Sequence, residues 1–220
     1  EGCGGLFYCL MLGLSVWCNY YISMMVCMFL AFYFLVYLAF SGKRGKEFGK
    51  AAVSFAGYSI LAAGLSAVLL FPEMEAIQIA GSGDNPFPKT AEFYFGIKDL
   101  LCRHLVFAPP TGLTEWGVHL PNLYCGGTVF VLLPLFFLSE KISWTKKLIC
   151  GAGILFFWFA FSVNIADFIW HGFHYPRGLP GRQSFLYLLF VLQFCYEAYP
   201  ELETASAKKL ILIFLEFLRW

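Results

Sequence analysis

Residues 6–40 read LFYCLMLGLSVWCNYYISMMVCMFLAFYFLVYLAF, about 35 residues without a charged side chain. Crossing a hydrocarbon core once takes roughly 20 apolar residues, so this run is too long for one span and too apolar for water. Trp17, Asn19, Tyr20 and Tyr21 interrupt it near the middle with aromatics typical of a membrane interface. The run reads as two spans, about 5–18 and 21–40, joined by a tight turn; the alternative is one long tilted helix. The rest of the chain has the same character. Hydrophobic residues make up 60% and charged residues 13%, against about 25% charge in soluble domains. The 26 phenylalanines fit lipid-facing helices better than one compact core. The fold class expected is all-α, a polytopic transmembrane helical bundle of about six to seven spans, forming a single domain over 1–220.

Working outward, a third span covers about 51–71, with Gly57, Ala62, Ala63, Gly64 and Ala67 as a small-residue face for close helix approach. Pro72 is expected to end it. Residues 72–125 form a long polar loop. Within it, 90–107 has helical periodicity, with Phe93, Ile97, Leu101 and Leu105 on one face, as for a helix lying on the membrane surface. Further spans are expected at about 126–138, 148–168 and 184–199, with a last apolar run after Lys208 and Lys209. Basic residues concentrate in loops 41–50, 139–147 and 200–209, which alternate with 72–125 and 169–183. By the positive-inside rule the first set is cytoplasmic and the second external. Both chain ends fall in or beside apolar runs, as expected of the central part of a larger multi-span protein.

Several chemistries find no support. A net charge of +1 gives no field to attract nucleic acid, so no nucleic-acid partner is expected. GSGDN at 81–85 lacks a P-loop lysine and reads as a turn. The cysteines at 3, 9, 18, 27, 102, 125, 150 and 195 include no Cys-x-x-Cys pair. Most sit in apolar runs as small buried hydrophobes. Cys102 and Cys125 share the long loop, where both a disulfide and free thiols are open readings.

The stretch IWHGFHYPRGLPGRQSF at 169–185 gathers two histidines and two arginines where a span must emerge into water. Polar groups placed there are costly and usually functional. Arg177 and Arg182 are candidates for phosphate binding, because guanidinium binds phosphate oxygens bidentately and stays charged; snorkelling to ordinary lipid phosphates is the plainer reading. Asp167 precedes His171 by four residues, so the two share a face if the helix continues. A paired carboxylate would raise the histidine pKa and orient its ring. His171 and His174 are thus candidate donors to a phosphate or sugar hydroxyl, against the reading of interfacial histidines satisfied by neighbours. No third histidine is near, so no metal and no cofactor are expected. Asn122 and Tyr124 stand where the long loop re-enters the membrane, lining a groove or capping a helix.

Four segments carry a resemblance: WCNYYISMMVCMFLAFYFLVYL at 17–38, GLSAVLLFPEMEAI at 64–77, PNLYCG at 121–126 and WHGFHYPRGLPGRQSFLYLLF at 170–190. In this order they resemble the YfhO-type bacterial membrane proteins, of the GT-C class of polytopic glycosyltransferases. The resemblance implies a GT-C-like fold in the cell membrane. It implies an enzyme moving a sugar from a polyprenyl-phosphate carrier to a cell-envelope polymer or lipid on the external face. Among its interaction partners would be that lipid donor, the acceptor and membrane lipids. It places the general base upstream, so no acid here inherits that role. A lipid or polysaccharide transporter, flippase or assembly component is the alternative.

Overall fold

The computed structural model describes residues 2–79, 86–111, 119–173, 181–205 and 210. Among them every regular element is helical: α1 (Gly2–Cys18), α2 (Tyr20–Phe40), α3 (Lys46–Leu65), α4 (Ala67–Ile79), α5 (Ile97–Cys102), α6 (Val129–Leu138), α7 (Trp144–Ser162), α8 (Asn164–Trp170), α9 (Ser184–Ala198) and α10 (Glu201–Thr204). The chain forms two compact units, Glu1–Phe87 with Ile169–Tyr175, and Pro88–Phe168 with Pro176–Trp220. Among the described residues three helices are long and apolar enough to cross a membrane: Tyr20–Leu38, Lys46–Leu65 and Trp144–Ser162. At the other expected crossings α1, α6 and α9 are apolar but only 17, 10 and 15 residues long.

In the first unit the expected turn is present, between α1 and α2. Asn19 is extended and its side-chain oxygen accepts the Ile22 N–H at 3.0 Å, capping α2 where a backbone donor would otherwise be orphaned. The small-residue face of α3 is only partly used. Ala62 is fully buried with Cys9 and Leu12 of α1, whereas Gly57 and Gly64 have nothing near them. The close approach comes from α1 instead. A side chain at Gly5 would run into the Tyr58 ring, and Gly13 backs onto Ala62 and Ser66. Pro72 does not end the third span. The helix breaks earlier, at Ser66, whose hydroxyl donates to the Gly13 carbonyl at 3.2 Å. Pro72 lies inside α4. A proline removes one helix bond and crowds one carbonyl, but it does not forbid a helix that has already restarted at Ala67.

In the second unit α7 and α9 are antiparallel. Gln183, before α9, donates to the Ala160 carbonyl near the end of α7. At the opposite end Lys146 pairs with Glu197 at 2.7 Å and Lys141 with Glu201 at 3.0 Å. Between them the packing is aromatic, with Phe157 edge-on to Tyr187 at 5.5 Å and Phe136 against Phe194 at 5.1 Å. Gly153 admits the Phe190 ring, which any side chain there would displace.

The helix expected over 148–168 is broken. Val163 is extended between α7 and α8, and residues 90–94 of the long loop run antiparallel beside it, bridging Phe93 to Val163. Tyr94 N–H donates to the Ser162 carbonyl at 2.7 Å and Asn164 N–H to the Glu92 carbonyl at 3.1 Å. The Asn164 amide completes the bridge, accepting Glu92 N–H at 3.0 Å and donating to the Thr90 carbonyl at 2.9 Å. The helix expected over 90–107 is therefore confined to Ile97–Cys102. Its residues 90–94 serve the break instead, and Phe93, Ile97, Leu101 and Leu105 are all exposed. Cys102 and Cys125 are both free thiols.

Replacing Asn164 with Ala removes two part-buried side-chain hydrogen bonds, from the Glu92 N–H and to the Thr90 carbonyl, a loss of about 1–3 kcal/mol. We expect a lower thermal midpoint and faster hydrogen exchange at Glu92 and Tyr94, measured on purified protein.

Candidate functional site

At the end of the second unit opposite Lys141 and Lys146, three segments converge: 103–111, 121–126 and 181–183. Arg103 is the hub. Its Nε donates to the Pro121 carbonyl at 2.8 Å. One terminal nitrogen donates to Pro109 at 2.6 Å, and the other reaches Asn122 Oδ1 at 2.6 Å and Thr111 Oγ1 at 3.3 Å. Planar guanidinium, with five fixed donors, suits this divergent set of acceptors. Asn122 closes the arrangement, accepting Thr111 N–H at 2.9 Å and donating to the Thr111 carbonyl at 3.1 Å. Both functional ends of the Asn122 amide are thus engaged, while Tyr124 two residues on is exposed. Arg103 has no local signature in the sequence, where it stands as one cation in the long polar loop 72–125. Its proximity to Pro109-Pro110 and the Pro-Asn string was the available signal.

Gly181 joins the third loop to the second. Its φ of +64° is left-handed, and a Cβ there would meet Pro121 at 2.7 Å. Glycine is needed on both counts. The next two residues, Arg182 and Gln183, turn the chain into α9; Arg182 is half-buried and Gln183 fully buried. Among the described residues Gln183 Oε1 and the nearby buried Ser162 Oγ have no hydrogen-bond partner. Buried polar atoms normally have one, so these two have capacity for a further polar group.

His104 is buried beside this cluster. Its Nδ1 lies 2.8 Å from the Leu100 carbonyl and its Nε2 lies 3.0 Å from the Tyr187 hydroxyl. A carbonyl only accepts, so Nδ1 carries the proton and Tyr187 donates to Nε2. Burial pushes the His104 pKa down from 6.5, partly offset by the Leu100 and Leu101 carbonyls.

The remaining candidates lie as follows. Asp167 is buried in α8, and Asn164 serves the break described above. His171 follows the last residue of α8 and is fully buried in the first unit, its ring 6.3 Å from that of Tyr21 at the start of α2. The turn continues through Gly172 and Phe173, both at positive φ. His174 and Arg177 lie outside the described residues.

Over residues 4–218 the chain matches the family described as bacterial membrane protein YfhO. It belongs to that family. No curated protein and no solved structure matches it. The match covers both units and includes the PNLYCG and GRQSF strings that Gly181 and Pro121 bring together.

Two outcomes follow for this YfhO protein. Arg103→Lys should lower stability by about 2–4 kcal/mol, because an ammonium cannot serve four divergent acceptors and charged hydrogen bonds are worth about 1.5–3 kcal/mol each. Thermal unfolding measures it. The lowered His104 pKa means that the unfolded chain binds the proton more readily. Its stabilising contribution is then complete above pH 6.5 and is lost as pH falls through the lower, folded value. The thermal midpoint should drop on acidification below pH 6.5, and His104→Gln should flatten the drop.

Proposed function

We propose that this protein is a glycosyltransferase of the cell membrane, moving a sugar from a polyprenyl-phosphate carrier to a cell-envelope acceptor on the external face. In this reading the apolar helices form a GT-C-like bundle of six or seven spans. Loops 41–50, 139–147 and 200–209 face the cytoplasm, and 72–125 and 169–183 face outward.

The observation that carries the reading is the 181–183 turn. There the half-buried Arg182 adjoins the fully buried Gln183, whose carbonyl oxygen has no partner among the described residues. A guanidinium is a ligand for the carrier phosphate; a sugar hydroxyl is a donor for the amide oxygen. As the bond between the sugar's anomeric carbon and the phosphate oxygen breaks, negative charge grows on the phosphate, and a fixed cation in a dry site lowers that barrier. The acceptor hydroxyl forms the new bond, and its proton goes to a base that none of these residues is assigned to be. Asn122 and Tyr124 border the turn through Pro121, and Tyr124 is the exposed group free to meet an acceptor. Asp167 is proposed as a buried partner for a substrate hydroxyl. Roles for His171, His174 and Arg177 in holding phosphate or sugar rest on their residue chemistry.

The helix breaks at Ser66 and Val163 favour a second reading as a transporter, since transporters bind substrates at broken helices. Against it, the backbone groups at Val163 are already bonded to residues 90–94.

Mass spectrometry of cell-surface glycans in wild-type, deletion, Arg182→Ala and Gln183→Leu strains tests the proposal, with membrane levels checked by blot. The deletion and Arg182→Ala strains should lose one glycan. Gln183→Leu should lower its amount about tenfold or more, the effect of one lost buried hydrogen bond. Unchanged glycans in the deletion strain would move the transporter reading to first place.

A further inference from the structure

In the first unit a groove of about 400 Å³ opens between the end of α1 and α4, beside the break at Ser66. Trp17 lines it from α1, and Val68, Leu69, Pro72, Glu73 and Ala76 line it from α4. The spacing of these five puts them on one face of the helix. The Trp17 indole is tied to the end of α3, its Nε1 donating to the Leu65 carbonyl at 3.4 Å. α3 is 20 residues long, about 30 Å at 1.5 Å per residue, which is the thickness of a hydrocarbon core. Leu65 therefore marks the edge of that core, and the groove beside it lies at headgroup depth.

Glu73 is the charged group of the lining. It is partly buried, and its carboxylate has no ion pair or hydrogen bond among the described residues. A carboxylate set among aliphatic side chains is costly unless a cation or a donor meets it. Trp17 is 52% exposed, and indole is the best aromatic partner for a cation. Carboxylate and indole on the two sides of one groove select the same group, an ammonium. The rest of the lining is apolar, and Phe71 and Met74 of the same helix are exposed as well. These surroundings suit the ammonium of an amphiphile better than that of a small hydrophilic amine. A primary ammonium also carries three N–H donors for the carboxylate, whereas a trimethylammonium carries none.

We propose that this groove holds the headgroup of one phosphatidylethanolamine, its ammonium between Glu73 and Trp17 and its apolar part against Val68, Leu69 and Ala76. The site does not depend on the sugar-transfer reading.

The test uses the complete protein in detergent, titrated with phosphatidylethanolamine or phosphatidylcholine of identical acyl chains. Native mass spectrometry reads the lipid retained. Wild type should hold one phosphatidylethanolamine about fivefold more tightly than phosphatidylcholine, the equivalent of about 1 kcal/mol. Glu73→Gln should abolish that preference. Glu75→Gln, which removes a carboxylate of α4 outside the groove lining, should leave it intact. Ala76→Trp, which fills the groove from an exposed position, should weaken retention of both lipids. Thermal unfolding checks that each variant is folded. Equal retention of the two lipids by wild type would overturn the proposal. So would equal losses in Glu73→Gln and Glu75→Gln, which mark diffuse surface attraction. Indifference to Ala76→Trp would overturn it too, because the lipid would then sit elsewhere.

Discussion

Backbone polar groups in hydrocarbon must be hydrogen-bonded, and helices normally do this for themselves. This protein departs from that solution at Val163, and much of the second unit follows from how it recovers. The extended residue frees carbonyl and amide groups on either side. Residues 90–94 return from a long loop to bond Ser162 and Asn164, with the Asn164 side chain locking the pair. A loop so anchored has a fixed starting point. α5 follows it directly and brings Arg103 and His104 to the same end of the unit, where they meet the 121–126 and 181–183 turns.

The polar end is thus assembled from pieces distant in the chain, each held by a different chemistry. Arg103 gathers three neutral acceptors and a hydroxyl, with cation and planar fork both in use. Gly181 supplies a left-handed turn and the absence of a side chain against Pro121. Tyr187 reaches out of the aromatic core of α9 to the neutral imidazole of His104. Arg182 and Gln183 are positioned as a consequence, between a packed core and a fixed loop. Rigid support of this kind is what a transfer site needs, because small displacements of the reacting groups cost rate steeply.

The sequence was most legible where the physics is local. The interruption near Asn19 was readable because the apolar run is too long for one span and Trp17, Asn19, Tyr20 and Tyr21 break it with interfacial groups; the Asn19 cap itself was not read. The helical class followed from composition and from the length of the apolar runs. Helix breaks were not legible, because their compensation is remote. Ser66 bonds a carbonyl 53 residues away, and Asn164 bonds groups 72 and 74 residues away. Pro72 looked like the stronger breaker because proline's effect is written in its own ring. Likewise the stripe Phe93, Ile97, Leu101 and Leu105 had the right period for a helix, yet hydrogen-bonding demand at Val163 drew its first part into an extended segment. Of the candidate site residues, Arg182 was visible from its chemistry and setting. Arg103 was not, since four acceptors scattered over 109–122 give a cation no local signature.

The central claim is that the end of the second unit carrying Arg182 and Gln183 receives a polyprenyl-phosphate-linked sugar. The most direct measurement is photo-crosslinking of the purified complete protein with a polyprenyl phosphate bearing a diazirine near the phosphate, followed by peptide mapping. The account predicts adducts on residues 181–187 and 121–126, competed away by unlabelled polyprenyl-phosphate sugar. Adducts confined to other segments, or labelling of 181–187 that the unlabelled donor does not reduce, would contradict it.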